Sequence, residues 1–249
     1  MAAHASTPIE TVERVLQDLV AMARDALGDT LDAVVLYGSA VEGRLRPGSD
    51  VNVIFVLDRF EAGRIEAIGG PVRAAQAAIR LAPMLLLREE IPDAASAFAV
   101  KFADIARRHR VLFGRDPFTD LAIPRERLIA RLLQVLLNLR LRLRAAYVTR
   151  GAFEDQLVSV IASVAPVFRS AAATLRELEG QPRLAAREAL TQLVQGLGDP
   201  RFADIVAQMS IARQSGVLPP GVPRQGLLTL LDLAASMRER AAHLARTMP

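Results

Sequence analysis

The run Leu36-Tyr37-Gly38-Ser39, ten further residues, then Asp50-Val51-Asn52 constrains the fold more than any other part of the chain. Residues 31–37 (Leu-Asp-Ala-Val-Val-Leu-Tyr) read as a strand. Residues 50–57 (Asp-Val-Asn-Val-Ile-Phe-Val-Leu) are rich in β-branched residues and read as a second strand, one that opens on a carboxylate. Between them, residues 39–46 read as a short helix or arm and Pro47-Gly48 as a turn. Alternate strand residues share a face, so Asp50 and Asn52 point the same way and Ile54 continues that face. Val51, Val53 and Phe55 pack the other side. Gly38 lets the backbone come close to a phosphate, and Ser39 offers a hydroxyl and an amide to phosphate oxygens.

The remaining pattern predicts two parts. Residues 8–27 form an amphipathic helix: Val12, Val15, Leu16, Leu19 and Val20 recur at helical spacing, and Gly28-Asp29 ends the run. Residues 60–80 read as helical, interrupted by Gly69-Gly70-Pro71. Residues 83–88 and 97–104 read as a third and a fourth strand. After Pro124 the pattern becomes wholly helical, over 125–149, 153–179, 183–197, 199–214 and 225–247. The first of these is apolar on most sides, as in a helix at the middle of a bundle. The expected domains are residues 1–120, a small α/β unit, and residues 121–249, an all-α bundle.

Composition excludes several function classes. The chain has no Cys, so disulfides and thiolate metal sites are ruled out. His4, His109 and His243 are too scattered for a zinc site. Aromatics make up 4% of residues and Trp is absent, which disfavours stacking platforms for nucleic acid. No uninterrupted apolar run reaches the roughly 18 residues of a membrane span. The N-terminal segment carries Glu10, Glu13 and Asp18 and lacks the layout of a signal peptide. The expectation is therefore a cytoplasmic protein without membrane or nucleic-acid partners. Lys101 is the sole lysine among 31 basic residues. Residues 1–123 carry net charge −3 and residues 124–249 carry +7, which suits two docking domains or a basic cleft wall for a polyanion.

The strand, the Gly38-Ser39 turn and the Asp50-x-Asn52 strand resemble the nucleotidyltransferase superfamily, the DNA polymerase β-like and kanamycin-nucleotidyltransferase-like enzymes. The resemblance extends through Arg88-Glu89-Glu90, Phe98 to Ile105, and His109-Arg110-Val111-Leu112-Phe113-Gly114. That stretch is similar to bacterial nucleotidyltransferase-domain proteins with a C-terminal helical domain. The implied fold class is α+β, a small mixed-sheet domain followed by a helical bundle. The implied ligand is an NTP, with Gly38, Ser39, Arg44, Arg46 and Ser49 on the nucleotide and Mg²⁺ held by three acids. Laid on this chain, those acids fall at Asp50, Asn52 and Lys101. Their charge goes from −3 to 0, and an ammonium repels a metal directly. Glu89 and Glu90 are candidate substitutes if the neighbouring strand is in register. Asp104, three residues from Lys101, falls on the opposite face of the expected fourth strand.

Three readings stay open. One is a degenerate member that keeps a nucleotide-sized cleft, with the Lys101 ammonium standing in for a metal. Another is a working transferase acting on a small molecule or protein, with Asp50 and a substitute acid holding one metal. The last is an interaction module, which could self-associate, with no nucleotide binding. Two other motifs are weaker. His109 is a candidate base or a strand-end packing residue. Arg238-x4-His243 is similar in spacing to the pair of HEPN-type ribonucleases, although Glu239 replaces the polar residue usual beside that Arg. Arg140, Arg142 and Arg144 read as a solvated or interdomain face.

Overall fold

The computed structural model describes residues 8–42 and 50–247. Arg44, Arg46 and Ser49, expected at the nucleotide, lie outside the described residues. The chain divides into two compact units. One comprises the segment up to Ala97 together with Phe102–Ala122; the other comprises Phe98–Lys101 and the segment from Ile123 onward.

In the first unit, helix α1 (Pro8–Leu27) follows the expected periodicity, with Val12, Leu16, Leu19, Ala23 and Leu27 buried. A turn at Gly28–Thr30 leads into β1 (Leu31–Tyr37). Then come β2 (Val51–Leu57), α2 (Ala62–Ala67), α3 (Gly69–Ile79), β3 (Leu81–Leu87), α4 (Ile91–Ala97), α5 (Ala99–Arg107) and β4 (His109–Gly114). The sheet order is β3-β2-β1-β4. β2 runs antiparallel to β1 and parallel to β3, while β4 runs antiparallel to β1. The α+β mixed sheet is thus as expected.

One sheet face is closed by apolar packing. Leu31, Val34, Leu36, Val51, Val53, Phe55 and Leu57 form a single cluster with the buried side of α1 and with Ile68, Ala75 and Ile79. β2 is interior to the sheet, and Val53 to Leu57 are fully buried. β3 is an edge strand, which is why it tolerates Pro83, a residue with no N–H to give to a second neighbour.

The expected strand over 97–104 is helix. Alanines at 94, 95, 97, 99 and 103 favour it. The buried residues Ala95, Ala99, Phe102 and Ile105 recur every three or four positions, not every second. The fourth strand instead lies at His109–Gly114. The Gly69-Gly70-Pro71 run opens α3 rather than merely interrupting a helix, with Pro71 in the first turn, where its missing N–H is harmless.

The second unit is a bundle of α6 (Arg125–Arg150), α7 (Glu154–Leu178), α8 (Ala186–Leu197), α9 (Pro200–Ser215) and α10 (Val222–Arg246). Leu132, Leu136, Leu139 and Leu143 of α6 meet Leu157, Ile161, Phe168 and Leu175 of α7 and Leu227, Leu230 and Met237 of α10 in one core. Asp199 caps α9, its carboxylate accepting from the Arg201 amide at 3.0 Å. Although no uninterrupted apolar run is present, α7 is long and apolar enough to cross a membrane by composition, with a mean hydropathy of 1.5. Of that window 61% is buried inside the bundle, as in a core helix.

Gly114 ends β4 with φ +81°, and a Cβ there would run into the Asp32 carbonyl oxygen and sit 2.9 Å from the Ala33 Cα. Both obstacles are backbone of the neighbouring strand and do not yield. Gly114→Ala is expected to destabilise the first unit by about 2–4 kcal/mol, the sum of a left-handed backbone and a backbone clash. A urea titration followed by circular dichroism reads this out.

Candidate functional site

Strand direction gathers the candidate residues at one end of the sheet. β1 ends where β2 begins because the two are antiparallel. β3 begins there because it is parallel to β2, and β4 begins there because it is antiparallel to β1. The register fixes a row across this end. Tyr37 pairs with Asn52 on one side and with His109 on the other, and Asn52 pairs with Ala82. Paired residues point to one face, so Tyr37, Asn52, Ala82 and His109 line it together, opposite the packed face. Two carbonyls tie the row: Gly38 donates its amide to Arg108 at 3.0 Å, and Val51 donates to Arg80 at 3.2 Å.

Gly38 sits at φ +81°, a conformation that favours glycine, and a Cβ built there would be 3.6 Å from Asn52 Nδ2. The backbone angle, not space, is what demands glycine. The Gly38 amide is taken by Arg108, so of the expected phosphate cradle it is Ser39, in the Gly38–Ala40 turn, that has a hydroxyl to offer. Asn52 is half-buried, and its Nδ2 reaches the Asp50 carbonyl at 3.5 Å, a long bond that leaves the amide nearly free.

Asp50 stands immediately before β2, and its carboxylate is held by Arg80. Arg80 Nε and Nη2 both reach Asp50 Oδ1, at 3.1 and 3.0 Å. Arg80 caps α3 and is left-handed, with φ 54° and ψ 44°. Among the described residues it alone has a positive φ without being glycine. Both side chains are more than half exposed, so the pair itself contributes only about 0.2–1 kcal/mol.

Glu89 and Glu90, the expected substitutes, lie at the other end of the sheet. β2 and β3 run in parallel with Leu57 opposite Leu87, which puts Asp58, Glu89 and Glu90 at the far end of the sheet, roughly 20 Å from Asp50 at strand rise. Glu90 accepts from the Leu87 amide at 2.9 Å. Asp104 is on α5, not on a strand, and pairs with Arg108, one turn on, and with Arg107 at 3.5 Å. Arg108 also reaches Glu42 at 3.7 Å. Lys101 is on the first turns of α5 and clusters with the second unit; its side chain is exposed, and packing around its stem lowers the ammonium below its usual range. It occupies no strand position. The position beside Asn52 on the neighbouring strand is Ala82.

His109 is pinned. Its Nδ1 lies 3.1 Å from the Ile105 carbonyl and its Nε2 lies 3.0 Å from Asp116 Oδ2, while its ring meets Phe118 edge-on at 5.5 Å. Both ring nitrogens face acceptors within the fold, which fits strand-end packing and not a free base. Burial of the Tyr37 phenol, reinforced by the Asp104 charge, pushes its pKa up, so it remains a neutral hydroxyl. In the bundle, Arg238 is half-buried with its Nε enclosed, while His243 is exposed on the last turn of α10. The two do not present one exposed face. Arg142 and Arg144 are exposed, and Arg140 is half-buried.

Among the described residues, no group of three His, Asp or Glu side chains is placed to hold a metal ion. The undescribed segment 43–49 contains no acid. What gathers at this end of the sheet is the Asp50–Arg80 pair, the Asp104–Arg108 pair beside Tyr37, an amide, a phenol and a hydroxyl. Sequence reading missed Arg80 and Ala82. Ala82 is visible only once the parallel register is known, and no residue type announces a left-handed arginine.

The architecture is the nucleotidyltransferase fold. The chain is similar to the crystal structure of spectinomycin adenyltransferase AAD(9) from Enterococcus faecialis with ATP and spectinomycin, with a TM-score of 0.60, 11% identity, and coverage of 92% of this chain and 99% of that one. At that identity the likeness speaks for the fold. No protein-family model and no curated protein matches the chain.

Two outcomes are expected from this geometry. Arg80→Gly relieves a left-handed backbone at the expense of an exposed ion pair, so the unfolding free energy read by urea titration stays equal or rises, by up to about 1 kcal/mol. Asp116 concerns pH. Burial acts to raise its pKa, but the Phe118 amide and His109 outweigh it and hold the carboxyl below its ordinary 3.8. A depressed folded pKa contributes stability that is present above the unfolded value and lost as pH falls through the folded one. Asp116→Asn should therefore flatten the stability loss below pH 3.8 and cost about 1 kcal/mol at neutral pH, read by thermal melts across the acid range.

Proposed function

We propose that the chain is a nucleotide-binding protein of nucleotidyltransferase fold whose metal chemistry has been lost. The observation that carries this reading is that Asp50, just before β2, is bound to Arg80, while Asn52 and Ala82 stand side by side in the row. Nucleotidyl transfer on this fold uses divalent ions to collect charge on phosphate oxygens, and carboxylates hold those ions. Mg²⁺ in particular asks for hard oxygen ligands in near-octahedral geometry. Here the strand starts offer one carboxylate bound to Arg80 and one amide, and Ala82 offers no ligand atom. The nearby Asp104 is likewise paired, with Arg108, so guanidinium charge offsets the negative charge that a metal pair needs. These residues do not fit a divalent metal pair.

The phosphate-facing half of the element is of a different kind. The Gly38 turn holds its required conformation, Ser39 places a hydroxyl on that turn, and Asn52 has an amide with spare donors. Neutral donors and a guanidinium favour binding a polyphosphate over transferring part of it. A second reading, an active transferase moving a nucleoside monophosphate to a small molecule or protein, draws on the nearly full-length likeness to an adenyltransferase solved with ATP and spectinomycin. The acceptor would then be a small hydroxyl-bearing molecule.

A pyrophosphate-release assay separates the two. The chain is incubated with each NTP, Mg²⁺ and a panel of hydroxylated acceptors including aminocyclitols. No release above the protein-free rate is expected. Release that requires Mg²⁺ and disappears in Asp50→Asn would establish the active reading and remove ours.

A further inference from the structure

We infer that Arg80 is the cation of this site, so that the protein binds the polyphosphate of a nucleoside triphosphate without a divalent metal; this rests on the nucleotide-binding reading above. Four observations converge on Arg80. It stands where β3 begins, beside the start of β2, and its carbonyl takes the Val51 amide, so its backbone is fixed to the strand that carries Asp50 and Asn52. Its left-handed backbone closes the C-terminus of α3, its amide donating to the Gln76 carbonyl at 3.0 Å, so helix and strand together fix the residue at this point. Its guanidinium sits on the Asp50 carboxylate, the one anchor a metal would have here. Finally, the pair is open to solvent and engages a single carboxylate oxygen, so donors of the guanidinium remain free for an incoming anion.

The chemistry fits phosphate. A guanidinium is planar, permanently charged and presents paired N–H donors that match two phosphate oxygens at once. It is weakly hydrated compared with a divalent ion and gives up little water on binding. A polyphosphate carries more charge than Asp50; it can first take the donors Asp50 leaves unused and then compete for the rest. Asp50 then acts as a placeholder that orients the guanidinium and yields it. Lys101, the cation expected from sequence for this duty, lies on α5 and clusters with the bundle.

The test is calorimetric titration of the full chain with ATP, inorganic tripolyphosphate and AMP, once in EDTA and once in Mg²⁺. Arg80→Gly is the variant of choice because glycine accepts φ 54° without strain; Arg80→Asn, also tolerant of that angle, is the companion. Binding of ATP and tripolyphosphate in EDTA, weaker for AMP, reduced at least tenfold in both Arg80 variants and tightened in Asp50→Asn, supports the assignment. ATP binding that needs Mg²⁺ and is lost in Asp50→Asn overturns it. Metal-independent binding that is unchanged in Arg80→Gly overturns the role of Arg80 while leaving the nucleotide-binding reading in place. No binding under either condition overturns both.

Discussion

The site depends on the mixed pairing of β2. This strand lies antiparallel to β1 and parallel to β3, so a strand end and three strand starts meet at one edge of the sheet. Had β3 run antiparallel, Ala82 and Arg80 would lie some 20 Å away, and Glu89 and Glu90 would flank Asn52 instead. The α2–α3 crossover makes the parallel pairing possible, since a parallel neighbour needs a connection long enough to return to the same edge. Burial of β2 on both faces then fixes the register. A slip of one residue would turn Asn52 into the apolar cluster and Val53 out of it.

Much of this was legible in the chain. Helix α1 and strands β1 and β2 declare themselves by period and by β-branched content, because their side chains face a core directly. The α4–α5 segment misleads for a physical reason. Phe98, Val100 and Phe102 recur every second residue, over a span too short to separate a period of two from one of 3.6. The larger set Ala95, Ala99, Phe102 and Ile105 resolves it, but it stands out only when its burial is known. Strand β4 hides for the opposite reason. It is an edge strand with polar ends, His109-Arg110 at one and Gly114 at the other, and its burial is mostly partial, so its sequence carries little of the strand signal.

The site was legible in its sequence-local half. Gly38, Ser39, Asp50 and Asn52 are near in sequence, and face alternation places the last two together. The other half comes from chain segments that pairing alone unites. Nothing in Ile79-Arg80-Leu81-Ala82 announces that its arginine is left-handed or that its alanine faces an amide. The expectation that a basic side chain replaces a metal named Lys101 because an alignment of motifs assigned it to a strand. With that segment helical, Lys101 has no strand position, and the cation beside Asp50 is Arg80.

A guanidinium and a divalent ion both neutralise phosphate, yet they differ in what they leave possible. A metal is held by several carboxylates, polarises the phosphorus centre as a Lewis acid and coordinates the attacking and leaving oxygens. A guanidinium is tethered to the chain, needs a single carboxylate to aim it, and binds oxygens through N–H bonds. It orients a polyphosphate but offers an attacking hydroxyl neither a coordination site nor activation. On the reading proposed above, Asn52 and Ala82 give a metal no carboxylate, and Arg80 answers the charge of Asp50. On that reading a tethered cation keeps recognition of triphosphate where its transfer has lost support.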